Sequence, residues 1–163
     1  MPASRKSPHP ATERSAARLA AVQALYQMDL AKTDLNDVVS EFALHRLGQT
    51  VDGDKYEAAD EAFFRDLVTG VVEHQRALDP MLDKRLADGW RLGRIDSILR
   101  AILRAAAFEL AERPDIPARA VINEYVDVAH AFFEGDEPKV VNGILDRLAH
   151  DVRAAEFEQP ANG

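Results

Sequence analysis

Cysteine is absent from the chain, which excludes disulfides, thiolate metal sites and a cysteine nucleophile together and fits the cytosol. Long hydrophobic runs are missing too. No apolar stretch approaches the about 20 residues needed to cross a bilayer, and the opening MPASRKSPHPATERS lacks the apolar centre of a signal peptide. A cytoplasmic protein without a membrane segment is expected. Nor is there a GxxxxGKS/T loop, a GxGxxG turn, a GxSxG elbow or an HExxH pair. Asp52-Gly53-Asp54-Lys55-Tyr56-Glu57 begins like a calcium loop, but Glu57 stands where the sharp turn requires glycine. These absences predict a protein that is not an enzyme and carries no cofactor.

What remains is an ordinary globular composition, 47% hydrophobic and 29% charged, within one domain's length. The net charge of −8 argues against nucleic acid at first sight, because phosphate binding is driven by positive charge. Its distribution argues otherwise. Residues 1–18 hold Arg5, Lys6, Arg14 and Arg18 against Glu13 alone, a net +3 that leaves −11 for the rest of the chain. A basic arm precedes an acidic body.

Periodicity is helical throughout. Residues 1–11, with three prolines, read as a flexible arm. From a cap at Thr12, Leu19, Val22, Tyr26 and Leu30 predict a first helix over about 13–31. Asp34 caps a second that carries Val38, Val39, Phe42 and Leu47 to a stop at Gly48, and residues 49–54 read as a loop. A third helix from about Tyr56 gives way at Asp79-Pro80 to a short fourth that ends near Gly89. The widest apolar stripe, Ile95, Ile98, Leu99, Ile102, Leu103, Ala106 and Leu110, predicts a central buried helix that Pro114 and Pro117 terminate. A sixth helix carries Val121, Ile122, Tyr125, Val128 and Phe132. The last opens at Asp136-Glu137-Pro138, with Gly143 inside it as the mark of a close approach by another backbone or a ligand. This makes seven helices and no sheet, in a single domain over 12–153, followed by a tail over 154–163 with little to pack.

Binding signals are few. Arg14 and Arg18, four residues apart, share one face of the first helix beside Arg5 and Lys6, so four cations can converge on phosphate. A second basic set, Lys84, Arg85, Arg91, Arg94, Arg100 and Arg104, is explained as well by ordinary surface pairing. Asp127, His130 and Glu134 share a helix face in the manner of a metal set, but a solvated outer face is the plainer reading.

Five segments in order carry a resemblance: Ala21-Val22-Gln23-Ala24-Leu25-Tyr26, Phe64-Arg65-Asp66-Leu67, Ala101-Ile102-Leu103-Arg104 with Phe108-Glu109-Leu110, Ile122-Asn123-Glu124, and Val141-Asn142-Gly143-Ile144-Leu145-Asp146. Together they resemble the NusB family of bacterial transcription antitermination factors. The resemblance implies an all-α fold of two small packed helical bundles. It also implies a role in reading through terminators on ribosomal RNA operons. Such proteins pair with the ribosomal protein NusE, bind BoxA RNA and join the RNA polymerase antitermination complex; a homodimer is left open. Carried onto this chain, the RNA-binding set is Arg5, Lys6, Arg14, Arg18, Asp136 and Lys139, and Tyr26 with Leu30 fall to the protein partner. The resemblance places Asp136 at an acidic position associated with RNA binding and activity, and because a carboxylate does not bind phosphate its expected role is to cap the last helix or accept from a base edge. Val140 stands where relatives usually have phenylalanine. Two alternatives from other classes are a helical protein-interaction module without RNA binding, and a stand-alone relative of the RNA-binding module of RNA cytosine methyltransferases.

Overall fold

The computed structural model describes the backbone of residues 10–45, 50–51, 54–55 and 60–158, and the side chains of 13–43 and 60–158. Arg5 and Lys6, and the expected helix stop at Leu47 and Gly48, lie outside the described residues. Seven α-helices are present among them: α1 (Pro10–Ala31), α2 (Leu35–His45), α3 (Glu61–Asp83), α4 (Ser97–Glu112), α5 (Ala118–Phe132), α6 (Glu137–Val152) and α7 (Ala154–Phe157), with a 3-10 turn over Leu92–Arg94. The all-α expectation holds, and the count of seven arises differently from the sequence reading.

Asp79-Pro80 does not start a new helix. Pro80 sits within the last turn of α3, where its missing N–H removes a single hydrogen bond, and Asp79 receives Arg104 (2.9 and 2.8 Å) instead of capping backbone. The expected third and fourth helices are therefore one, begun by Asp60, whose carboxylate accepts from the Phe63 N–H. The seventh helix comes from the stretch read as an unpacked tail. Helix α1 also starts at Pro10, so Thr12 lies within it rather than before it. A two-residue antiparallel ladder, β1 (Thr50–Val51) against β2 (Asp54–Lys55), stands where only a loop was expected.

The two-bundle arrangement follows from α4. Helices α1 and α3 pack on one side of it, with α2 against both, and α5 and α6 pack on the other. Its apolar stripe is wide enough to serve both: Ala101, Ile102, Leu103, Ala105, Ala106, Ala107 and Leu110 are all buried. Helices α3 and α4 approach closely at Gly70 of α3, where an added Cβ would lie 2.3 Å from the Phe108 ring. Gly143 had been expected to mark such a crossing. A Cβ there would meet nothing nearer than Arg147 Nη1 at 3.6 Å, so among the described residues no neighbouring element crosses closely at that point.

The C-terminal turn is fastened to the core. The Arg153 guanidinium, 8% exposed, donates to the carbonyls of Leu110 (2.7 Å), Glu109 (3.1 Å), Arg113 (2.6 Å) and Ile116 (3.0 Å); Leu110 has no helical donor because Pro114 stands four residues on, while Glu109 and Arg113 also accept from the Arg113 and Ile116 N–H groups. Glu156, ion-paired to Arg153, accepts from the Ala118 N–H at 2.8 Å and so caps α5, whose own preceding residue is Pro117. Phe157 stacks on His150.

Candidate nucleic-acid interface

The described members of the expected cationic set, Arg14, Arg18 and Lys139, do not gather in one place. Arg18 is an interior residue, 4% exposed, with its guanidinium bound through two hydrogen bonds to Glu109 of α4 (2.9 and 2.8 Å) and lying 3.7 Å from Glu124 of α5. Glu109 is itself fully buried and also accepts from the Tyr125 hydroxyl at 2.5 Å. Burial acts to lower the Arg18 pKa, but the hydrogen bonds and charge of Glu109 more than offset it, so the group is held above its ordinary value. Burial, then the Glu109 charge, drives the Tyr125 hydroxyl well above its usual range. An arginine so enclosed offers nothing to phosphate, and its assignment to RNA binding is corrected. Its role is to tie α1 to both α4 and α5.

Arg14 lies nearby. Its guanidinium sits over the Phe63 ring at 4.9 Å and 3.9 Å from Asp60, with 38% of the side chain exposed. These contacts place it by the last turns of α4, beside Arg113, which covers the same ring at 5.3 Å. At about 1.5 Å rise per residue, Glu109 is about 20 Å along α4 from Asp96. Asp136, opposite Asp96, therefore lies at the far end from Arg14 and Arg18.

At that far end the structure gathers Asp136 with residues the sequence reading had set aside. A groove of about 460 Å³ runs between the α3–α4 connection, which contributes Gly89, Trp90, Arg91, Arg94 and Ile95, and the start of α6, which contributes Asp136, Glu137 and Val140. Asp136 precedes α6 as expected, but its carboxylate makes no capping hydrogen bond, so of its two expected roles the cap is excluded. Lys139 is exposed three residues further on, and the 136, 139, 140, 143 spacing puts Gly143 on the same face.

The basic set of 84–104 divides sharply. Arg85 pairs with Asp151, Arg100 with Asp29 and Arg104 with Asp79, which is the ordinary pairing anticipated. The Asp29 carboxyl is depressed as a result: its burial acts upward, but the hydrogen bond and charge of Arg100 prevail. Arg91 and Arg94 are exposed, and no ion pair forms on either among the described residues. Between them and Gly89 stands Trp90, 49% exposed.

A second groove, of about 440 Å³, receives both expected partner residues. Tyr26 and Leu30 line it with Val22, Phe42, Ile98 and Phe132, and Leu30 is 59% exposed. Ile98 borders this groove, while Ile95, Asp96 and Leu99 border the first. The two grooves thus flank the opening turn of α4.

Asp127, His130 and Glu134 are each exposed, and among the described residues no group of three metal-binding side chains assembles. No described helix is long and apolar enough to cross a membrane.

Comparison with known proteins agrees with this architecture. The NusB family matches residues 15–150. A protein of Rhodopseudomonas palustris (strain BisB18) named Transcription antitermination protein NusB is 57% identical over 91% of this chain and 88% of its own length. One of the same name from Nitrobacter hamburgensis is 58% identical over 90% of this chain and 92% of its own length. Among solved structures, T. maritima NusB superposes with a TM-score of 0.74 at 28% identity, over 93% of this chain and 99% of that one. A chain from a structure described as antitermination factors NusB and NusE in complex with dsRNA superposes at 0.68 with 22% identity, over 85% of this chain and 97% of that one, a likeness of fold. On the family match and on relatives more than half identical over most of its length, the chain belongs to the NusB family.

Proposed function

We propose that this protein is an RNA-binding transcription antitermination factor that holds single-stranded RNA in the Trp90 groove while NusE occupies the Tyr26–Leu30 groove. One observation carries the reading: the two grooves flank the first turn of α4. RNA in one and a protein in the other would touch each other as well as the chain, so each would raise the affinity for the other. Arg91 and Arg94 are open to phosphate, Lys139 adds a third cation, and Asp136 is free to accept from a base edge. The acidic remainder of the surface repels RNA and confines it to this strip. The RNA is the BoxA element of ribosomal RNA operons, and the assembled complex is one that RNA polymerase carries.

Fluorescence anisotropy with labelled BoxA RNA, with and without NusE, tests this. Binding should be weak for the protein alone and tighter with NusE. The double variant Arg91→Ala, Arg94→Ala should reduce the slope of log affinity against log salt by about 1.4, for two phosphates at about 0.7 each. No binding in either condition would refute the reading. If Leu30 instead serves a homodimer, mass will rise with concentration and NusE will compete with self-association.

A further inference from the structure

We propose that Trp90 is the stacking platform for one unpaired RNA base, and that Asp136 across the groove selects a base with an exocyclic amino group. The inference rests on the RNA reading above and assigns the part of the groove that reads sequence.

Trp90 is the chain's single tryptophan, and half of it is exposed. It forms none of the ring stacks or cation-π contacts found among the described aromatic residues. Its exposure does not come from a loose loop. Gly89 adopts φ +86, a left-handed turn that suits glycine, and the Trp90 N–H donates to Ala87 O at 2.9 Å. Leu92, two residues on, is buried, and its N–H donates to Asp83 at 2.8 Å. Arg100 donates to the carbonyls of Leu92 (3.2 Å) and Ile95 (3.3 Å). The backbone on both sides of the indole is held before any ligand arrives, so ordering it costs the complex little.

Charge in the groove decides which part of a nucleotide goes where. Arg91 and Arg94 lie on the same α3–α4 connection as the indole, whereas Asp136 and Glu137 line the groove from the start of α6. A phosphate is attracted to the arginines and repelled by the carboxylates. The uncharged base therefore turns toward the carboxylates, over the indole and the apolar floor of Ile95, Leu99 and Val140. An acidic peptide would also suit the arginines, but its side chains would be driven out by the same two carboxylates. Flat aromatic, cation and acceptor together match a nucleobase. The Asp136 carboxylate can only accept, so adenine, cytosine or guanine can donate an amino hydrogen to it. Uracil can donate only its ring N3–H, and the two carbonyl oxygens beside it face the carboxylate unfavourably, so it is disfavoured.

The single tryptophan supplies a direct assay. Titration with single-stranded BoxA RNA should quench Trp90 emission in the wild-type protein, with no mutation needed. Trp90→Ala should bind about tenfold more weakly, the loss of one stacked base, with an unchanged salt slope, because stacking neutralises no phosphate. Trp90→Phe should retain most of the affinity. An RNA abasic at the stacked position should bind the wild type about tenfold more weakly but cost Trp90→Ala almost nothing more. Asp136→Asn should erase the preference for cytosine over uracil at that position. If RNA binds with unchanged emission and Trp90→Ala keeps full affinity and the abasic penalty, the stacking assignment is wrong while the RNA reading stands. If the wild type binds no RNA even with NusE, both fall. Helical circular dichroism confirms that the variants remain folded.

Discussion

Replacing Arg18 by alanine should damage the fold far more than any direct contact with RNA. The change would leave the fully buried Glu109 carboxylate with the Tyr125 hydroxyl alone, since Arg18 supplies two of its three side-chain hydrogen bonds. Removing one member of a buried ion pair costs about 3–5 kcal/mol, a large share of the about 5–15 kcal/mol that holds a domain folded. With a urea dependence near 2 kcal/mol per molar, the unfolding midpoint followed by circular dichroism should fall by about 2 M. Three companions calibrate this value. Tyr125→Phe, which leaves the ion pair in place, should cost about 1–2 kcal/mol. Arg14→Ala, at a solvated position, should cost under about 0.5 kcal/mol. The double change Arg18→Met, Glu109→Leu removes both charges and should recover most of the single variant's loss. If Arg18→Ala unfolds within about 0.5 kcal/mol of Arg14→Ala, the guanidinium is not enclosed in solution and the reasoning fails.

Two further predictions come from packing and capping. Gly70→Ala should destabilise by about 1–3 kcal/mol, because Phe108 must move. Gly143→Ala should be neutral or stabilise by up to about 1 kcal/mol, since the added methyl has room and glycine is a poor helix former; urea melts of the pair check both. Glu156 is held below its ordinary pKa, first by the Ala118 N–H and then by Arg153. A depressed carboxyl contributes stability that is present above its unfolded pKa and lost as pH falls through the folded one. The wild type should therefore lose more stability than Glu156→Gln between about pH 5 and pH 3, by a small amount because solvent screens this exposed group. Equal pH dependence of the two in thermal melts would contradict the cap.

Much of the fold was legible because its helices announce themselves by spacing. The stripe from Ile98 to Leu110 identified the shared central helix, and Asp34 does receive the Asn36 N–H at 3.1 Å. What spacing cannot say is which neighbour a face meets. Arg14 and Arg18 do share a face, but it lays Arg14 over Phe63 and Asp60 at the start of α3 and buries Arg18 against α4 and α5. The signal lay elsewhere, in Glu109: a glutamate enclosed by Ala105, Ala106, Ala107, Phe108 and Leu110 has to be paired, and an arginine is the natural partner. Pro80 misled because a proline in a last turn costs one hydrogen bond rather than a helix. The tail misled because the value of Arg153 and Glu156 lies in backbone groups some 40 residues earlier in sequence. In the candidate site, Asp136, Lys139, Tyr26 and Leu30 came through the resemblance. Trp90, Arg91 and Arg94 were passed over because only the folded chain shows which cations of a long basic run already have partners.

The central claim is that RNA lies across the start of α4 and α6 and not along the start of α1. Hydrogen exchange of the protein with and without BoxA RNA tests it directly, on the backbone amides of every segment at once. The account predicts new protection in residues 87–95 and 135–143, with the amides around Arg14 and Arg18 changed little. Protection confined to residues 13–25, with 87–95 unchanged, would contradict it.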